Sequence, residues 1–155
     1  MSKKIVIGAD HGGFNLKEEI KRVLITSKYP VNDVGSDSDR SCDYPIFGYK
    51  AAKEVSDKKA AKGIVICKSG IGMSMVANKL PGVRAALCFT AKEAESARKH
   101  NDANMLVLSA SKLSTKEAVN IVLVWMRTKA LKGRHARRVE QIKEIEKKVF
   151  KKRSG

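Results

Sequence analysis

Aromatic side chains are scarce in this chain, at 5% of 155 residues. Basic residues are therefore not interleaved with stacking platforms. No helix-turn-helix, RRM or KH pattern is present, and both absences weigh against a nucleic-acid-binding module. No apolar run approaches the roughly 18 residues needed to span a bilayer. The three cysteines, Cys42, Cys67 and Cys88, form no spaced pair. Their odd number and scatter exclude a disulfide framework and a zinc cage. Internal repeats, low-complexity segments and a second domain are also missing. The leader Met1-Ser2-Lys3-Lys4 runs straight into an apolar strand, so we expect no signal peptide and a cytosolic location. Acidic residues are few, 16 against 32 Lys and Arg, leaving a formal net charge of +16. Such an excess suits an anionic partner: a phosphorylated metabolite, an acidic membrane surface or nucleic acid. Part of it lies in the tail from Arg134, where nine basic residues face three glutamates; a solvated helix face is the simplest account of those lysines.

What is present alternates between strand and helix. Apolar runs at 4–9, 31–34, 64–66, 84–88 and 105–108 read as strands. Helical spacing follows at 16–24, 45–56, 91–99 and 115–128, with Pro45 suited to a first helical turn. Strands this apolar, separated by helices, imply a parallel sheet covered on both faces. The expectation is a single α/β domain over 1–155: a Rossmann-like sheet of about five parallel strands carrying a C-terminal docking helix. That helix, 134–153, is basic and amphipathic, with Val139, Ile142, Ile145, Val149 and Phe150 on one stripe. It packs either on its own sheet or on a partner subunit.

Parallel sheets of this kind bind ligands beyond the carboxyl ends of their strands. That rule brings Asp10-His11-Gly12-Gly13, after the first strand, together with the segment Gly63-Ile64-Val65-Ile66-Cys67-Lys68-Ser69-Gly70-Ile71-Gly72. The latter is a buried strand, a glycine turn and a helix start, with one thiol at the turn. Backbone N–H groups of such a turn converge and can hold an oxyanion or phosphate, and their field favours a thiolate at Cys67. Asp10 reads equally as a helix cap, and His100, in His100-Asn101-Asp102, as a favourable helix C-terminal cation. Arg134 and Arg138 stand i,i+4 and share a face able to grip a phosphate.

The motifs GADHGG, DYP, GIVICKSGIGMSMVANK, PGVRAALC, HNDAN and GRHARR occur in this order from about Lys4 to Lys147. Together they resemble the ribose-5-phosphate isomerase B family, which shares a superfamily with galactose-6-phosphate isomerase subunits. The resemblance implies an aldose–ketose isomerase without metal or organic cofactor, acting through a cis-enediolate. It implies Cys67 as the base between C2 and C1, and His100 as the ring-opening residue. Asp10 and Ser69 complete the catalytic set. Substrate contacts fall on Asp10, His11, the backbone from Lys68 through Ser69, Gly70 and Ile71 to Gly72, Asn101, Arg134 and Arg138. It further implies a homodimer or dimer of dimers whose sites are shared between subunits, with the terminal helix reaching across. Many relatives have glycine at the position of Lys68 and a phosphate-binding arginine at that of Ser111, where Lys112 is adjacent here. Galactose-6-phosphate subunits generally lack the histidine matched by His100, which removes that substrate. Allose 6-phosphate, and a non-catalytic protein binding phosphosugar or nucleic acid, stand as alternatives.

Overall fold

The computed structural model describes residues 4–154; the leader reading, Met1 to Lys3, falls outside them. Five strands form one wholly parallel sheet: β1 (Ile5–Ala9), β2 (Val31–Asp33), β3 (Lys62–Cys67), β4 (Ala85–Leu87) and β5 (Met105–Ser109). Their order is β2-β1-β3-β5-β4. The helices are α1 (Phe14–Thr26), α2 (Tyr44–Ser56), α3 (Ile71–Ala77), α4 (Ala91–Asn101), α5 (Thr115–Arg127) and α6 (Arg134–Ser154). None of the described helices is long and apolar enough to cross a membrane.

Side chains alternate across a strand, and each central strand here feeds two cores. Ile5, Ile7, Ile64, Ile66, Leu106 and Leu108 pack beneath α1, α4 and α5. Val6, Val65, Cys67, Met105 and Val107 pack beneath α2 and α3. Helices thus cover both faces, as the apolar strands require. Helices α4 and α5 each open on a reciprocal cap, Thr90 with Glu93 and Ser114 with Glu117. Such a cap contributes about 1 kcal/mol.

Strand boundaries depart from the apolar runs where a polar group has a partner elsewhere. Arg84 stays outside β4 because its Nε donates to the Asp102 carbonyl (3.0 Å) and its backbone N–H to Asn104 Oδ1 (2.8 Å). Strand β3 begins earlier than its apolar run, at Lys62. The Lys62 Nζ lies 5.1 Å from the Trp125 ring centroid and donates to the Met126 carbonyl (3.2 Å). Arg98 approaches the same ring. Burial first, and the Arg98 charge second, push the Lys62 amine down to about 8, with Asp102 opposing. Between that value and the ordinary lysine value near 10.4, the unfolded chain holds the proton that the folded chain has released, so stability rises with pH. Below pH 8 the folded state bears the full cost of this charge. Lys62→Met keeps the stem on the ring and removes the charge. We expect it to stabilise the fold at pH 7 by about 1–2 kcal/mol, after allowing for solvent screening of a partly exposed group. It should also flatten the pH 8–10.5 rise in urea-unfolding free energy relative to wild type; an unchanged slope would refute the account.

Helix α6 is held lightly. Val139 is buried against the body, but Ile142, Ile145 and Val149 remain 46, 61 and 44% exposed. Further along, Glu146 is fastened through both carboxylate oxygens to the Gly82 N–H (2.9 and 3.0 Å). The chain's own sheet therefore leaves most of the apolar stripe uncovered.

Candidate active site

The carboxyl ends of β1 and β3 are neighbours, with Ala9 opposite Ile66 and Cys67 opposite Ser109 of β5. Asp10 follows β1 directly and is buried, its Oδ1 accepting the Gly13 N–H (3.1 Å). The residue is thus both a cap and a lining group at the strand ends. Gly13 allows this turn to rest on β3: a Cβ there would lie 2.7 Å from the Ile66 carbonyl oxygen.

The Cys67 thiol is buried, and its Sγ accepts the Gly70 N–H at 3.1 Å. Gly70 sits at φ +80°, a left-handed conformation that favours glycine, and it opens α3 without a side-chain cap. Ser69 Oγ accepts the Ile71 N–H (3.2 Å). Two N–H groups of the turn are therefore already engaged by its own side chains, whereas Gly72, in the first turn of α3, receives no capping side chain. The Lys68 carbonyl is tied to β5 by Ser109 Oγ (2.8 Å) and the Ser111 N–H (3.0 Å). Lys68 is exposed and is not among the non-glycine residues with positive φ, so a side chain replaces glycine there without backbone strain. Lys112, beside the position where the family resemblance implies an arginine, stands with its Nζ 4.9 Å from the Phe89 ring centroid.

Two contributors to this end were missed in the sequence. Tyr44, marked in the sequence only within the DYP motif, covers Gly72: a Cβ on that glycine would lie 2.5 Å from the Tyr44 ring. Cys42, notable in the sequence only as one of three scattered cysteines, donates its backbone N–H to His11 Nδ1 (3.1 Å). A loop residue and a strand end 31 positions apart leave no local signal of such a contact.

His100 and Asn101 lie elsewhere. They end α4, where Asp102 turns the chain at φ 45°. Asp102 also accepts from Arg98 (2.9 Å) and Arg84 (3.4 Å). The His100 ring stacks on His135 of α6, with centroids 4.4 Å apart and planes 13° from parallel. Lys99, His100, Asp102, His135 and Val139 line a cavity of about 130 Å³. Contact with the body, and the charges of His100, Arg134 and Arg138, push the His135 imidazole below the ordinary histidine value. His135 carries no signal of its own in the sequence, lying within a run of arginines. It stands one turn before buried Val139 and so faces the same way. Arg134 and Arg138 are exposed and form no ion pair among the described residues.

One chain thus holds two groups of candidate residues at opposite ends of the sheet. Asp10, His11 and Cys67 to Gly72 line the carboxyl edge. His100, Asn101, Arg134 and Arg138 lie at the amino edge, where the chain re-enters the sheet at Met105. The length of β5, five residues, places about 13 Å between these edges. Among the described residues no cluster of three or more His, Cys, Asp or Glu side chains is placed to hold a metal ion.

Comparison with known proteins adds a family. The ribose/galactose isomerase family model matches residues 5–142. Ribose-5-phosphate isomerase B of Escherichia coli K12 is 39% identical over 144 residues, covering 93% of this chain and 97% of that protein. The ribose-5-phosphate isomerase B structure from Clostridium thermocellum is 47% identical and superposes with a TM-score of 0.92, covering 94% of this chain and 99% of that one. The Mycoplasma genitalium enzyme, solved with bound ribulose-5-phosphate, is 39% identical with a TM-score of 0.91, covering 95% and 98%. With its fold and nearly its whole length shared with these proteins, the chain belongs to the ribose/galactose isomerase family.

Proposed function

We propose that this chain interconverts D-ribose 5-phosphate and D-ribulose 5-phosphate through a cis-enediolate, as one sugar-phosphate isomerase domain acting in the cytosol. The observation that carries the reading is the Cys67 thiol, held by the Gly70 N–H at 3.1 Å at the uncapped start of α3 and beside Asp10. Moving a proton alpha to a carbonyl requires a base and a place for the oxyanion, and this turn offers both. Cys67 takes the C2 proton from the open aldose and returns it to C1. As the carbonyl passes from C1 to C2, O1 gains a proton and O2 loses one. Negative charge on the enediolate faces the N–H groups that the turn's own side chains leave free, among them that of Gly72; a single donor of this kind typically contributes about 2.7–4 kcal/mol to such a transition state. Asp10, His11 and Ser69 contact the sugar. Arg134 and Arg138 clamp the phosphate, and that remote binding energy aligns C1 and C2 with the thiol.

These roles require both groups of residues in one site. In our reading a second subunit supplies His100, Asn101, Arg134 and Arg138 to the Cys67 of the first. The uncovered residues Ile142, Ile145 and Val149 support a homodimer, since a partner would bury them. The test of substrate is a panel of ribose 5-phosphate, allose 6-phosphate and galactose 6-phosphate, ranked by kcat/KM. Ribose 5-phosphate should rank first; a preference for allose 6-phosphate would overturn the pentose assignment.

His100 opens the furanose ring and takes no part in enolisation. His100→Asn should slow conversion of ribose 5-phosphate by about a hundredfold. Ribulose 5-phosphate cannot close to a furanose, so single-turnover hydrogen exchange at its C1 should be largely spared. Equal losses in the two measurements would contradict a ring-opening role.

A further inference from the structure

We infer that the backbone N–H of Cys42 fixes His11 as the neutral imidazole protonated on Nε2, making it a hydrogen-bond donor to a substrate oxygen and not a second base. The inference rests on the proposed isomerase site for the identity of that substrate, but the tautomer itself follows from geometry alone. His11 Nδ1 receives the Cys42 N–H at 3.1 Å. A backbone amide only donates, so Nδ1 must accept, and an accepting ring nitrogen carries no proton. The neutral ring has one proton, which is left on Nε2. The Cys42 Sγ lies 3.8 Å from the same Nδ1, within reach of a weak S–H donor that would favour the same tautomer. The imidazolium form would set an N–H of the ring directly against the N–H of Cys42.

The donor is held in place from below. Ser36 donates its N–H to the Ala9 carbonyl (2.9 Å), tying the loop to the end of β1. Gly35 donates to Asp33 Oδ1 (2.9 Å). Asp33 in turn accepts from Lys17 (2.6 Å), whose side chain is 2% exposed, and from Lys21 (2.7 Å). The start of the loop that leads to Cys42 is therefore rooted in a partly enclosed ion-pair cluster beside the site. The other ring nitrogen, Nε2, has no protein partner among the described residues. It stands at the carboxyl edge next to Asp10, where the N–H can meet a phosphate, hydroxyl or carbonyl oxygen. Cys42 is on this account a positioning residue, and it acts through its main chain.

The tautomer is read directly from ring ¹⁵N shifts and couplings of histidine-labelled protein at neutral pH, with His11→Gln used to assign the His11 signals. Wild type should show the Nε2–H form for His11, and Cys42→Ala should keep it. Cys42→Pro removes the donated N–H. It should give a tautomer mixture and raise KM for ribose 5-phosphate by about tenfold, with a smaller change in kcat. His11→Gln places an amide N–H near the position of Nε2 and should retain more activity than His11→Asn, whose amide reaches only the Nδ1 position. An Nδ1–H or imidazolium spectrum in wild type overturns the inference, as does a Cys42→Pro spectrum matching wild type. Should Cys42→Pro fail to fold, the wild-type spectrum and the Gln/Asn pair decide. An Nε2–H spectrum in a protein inactive on every phosphosugar would overturn the functional reading and leave the tautomer assignment intact.

Discussion

Cys67→Ala is expected to lose about 10²–10⁴-fold in kcat/KM on ribose 5-phosphate, the usual contribution of a positioned general base. Binding of ribulose 5-phosphate, followed by titration calorimetry, should persist within a few-fold, because the phosphate and hydroxyl contacts lie on other residues. The thiol is small and sits at a strand end with the Gly70 N–H as its partner. Its removal therefore leaves the turn, whose shape depends on Gly70 and on the Lys68 carbonyl, in place. Cys88 provides the control. Burial, and then Glu93, push that thiol up to about 12, so it stays protonated and inert at neutral pH. Cys88→Ala should leave the kinetics within a few-fold of wild type. Turnover near wild type in Cys67→Ala would remove the cysteine from the mechanism.

The second large effect comes from mixing two inactive proteins. Cys67→Ala damages the carboxyl-edge group, and the double change Arg134→Ala with Arg138→Ala damages the amino-edge group. Each charge-assisted contact contributes about 1.5–3 kcal/mol, so the double variant should be weaker by at least a hundredfold at low substrate. In a two-fold dimer with shared sites, a mixed pair concentrates both lesions in one site and leaves the other whole. Random reassociation at equal concentrations makes half the dimers mixed, so about a quarter of wild-type activity should return. Mixing that restores nothing, although subunits exchange, would place both groups in one protomer's site and contradict the shared arrangement.

The fold was legible where composition alone decides it. Strands β1, β3 and β5 are buried on both faces, and their unbroken apolar runs say so. The stripe on α6 was visible for the same reason. Which strands are neighbours was not visible, because local patterns do not distinguish β2-β1-β3-β5-β4 from other orders. The glycine turn after Cys67 announced itself by residue type. That Cys67 and His100 lie at opposite sheet edges is implied by connectivity, since a helix end that precedes a strand lies at the amino edge. The contacts that escaped are between distant positions: Cys42 with His11, Tyr44 over Gly72, and His100 against His135. The buried Lys17 and the half-buried Lys62 escaped because their sequence looks like that of any surface lysine. Only a carboxylate or a ring brought in from another element makes such a burial tolerable.

In the proposed dimer, the exposed apolar stripe of α6 would tie catalysis to mass action. A helix held to its own body by buried Val139, the His135 stack on His100 and the Glu146 tether, with most of its apolar stripe exposed, is expected to open before the buried strands when a partner departs. In the proposed dimer, dilution therefore withdraws more than a neighbour. It exposes the amides of α6 to solvent exchange while those of β1, β3 and β5 stay protected, and it loosens the arginines that grip phosphate. In that dimer, substrate spanning the two subunits would favour the assembled form, stabilising it by the logarithm of its own saturation. Under the proposed arrangement, protein concentration and substrate concentration would act on the same equilibrium, and each would substitute for the other in keeping the helix ordered.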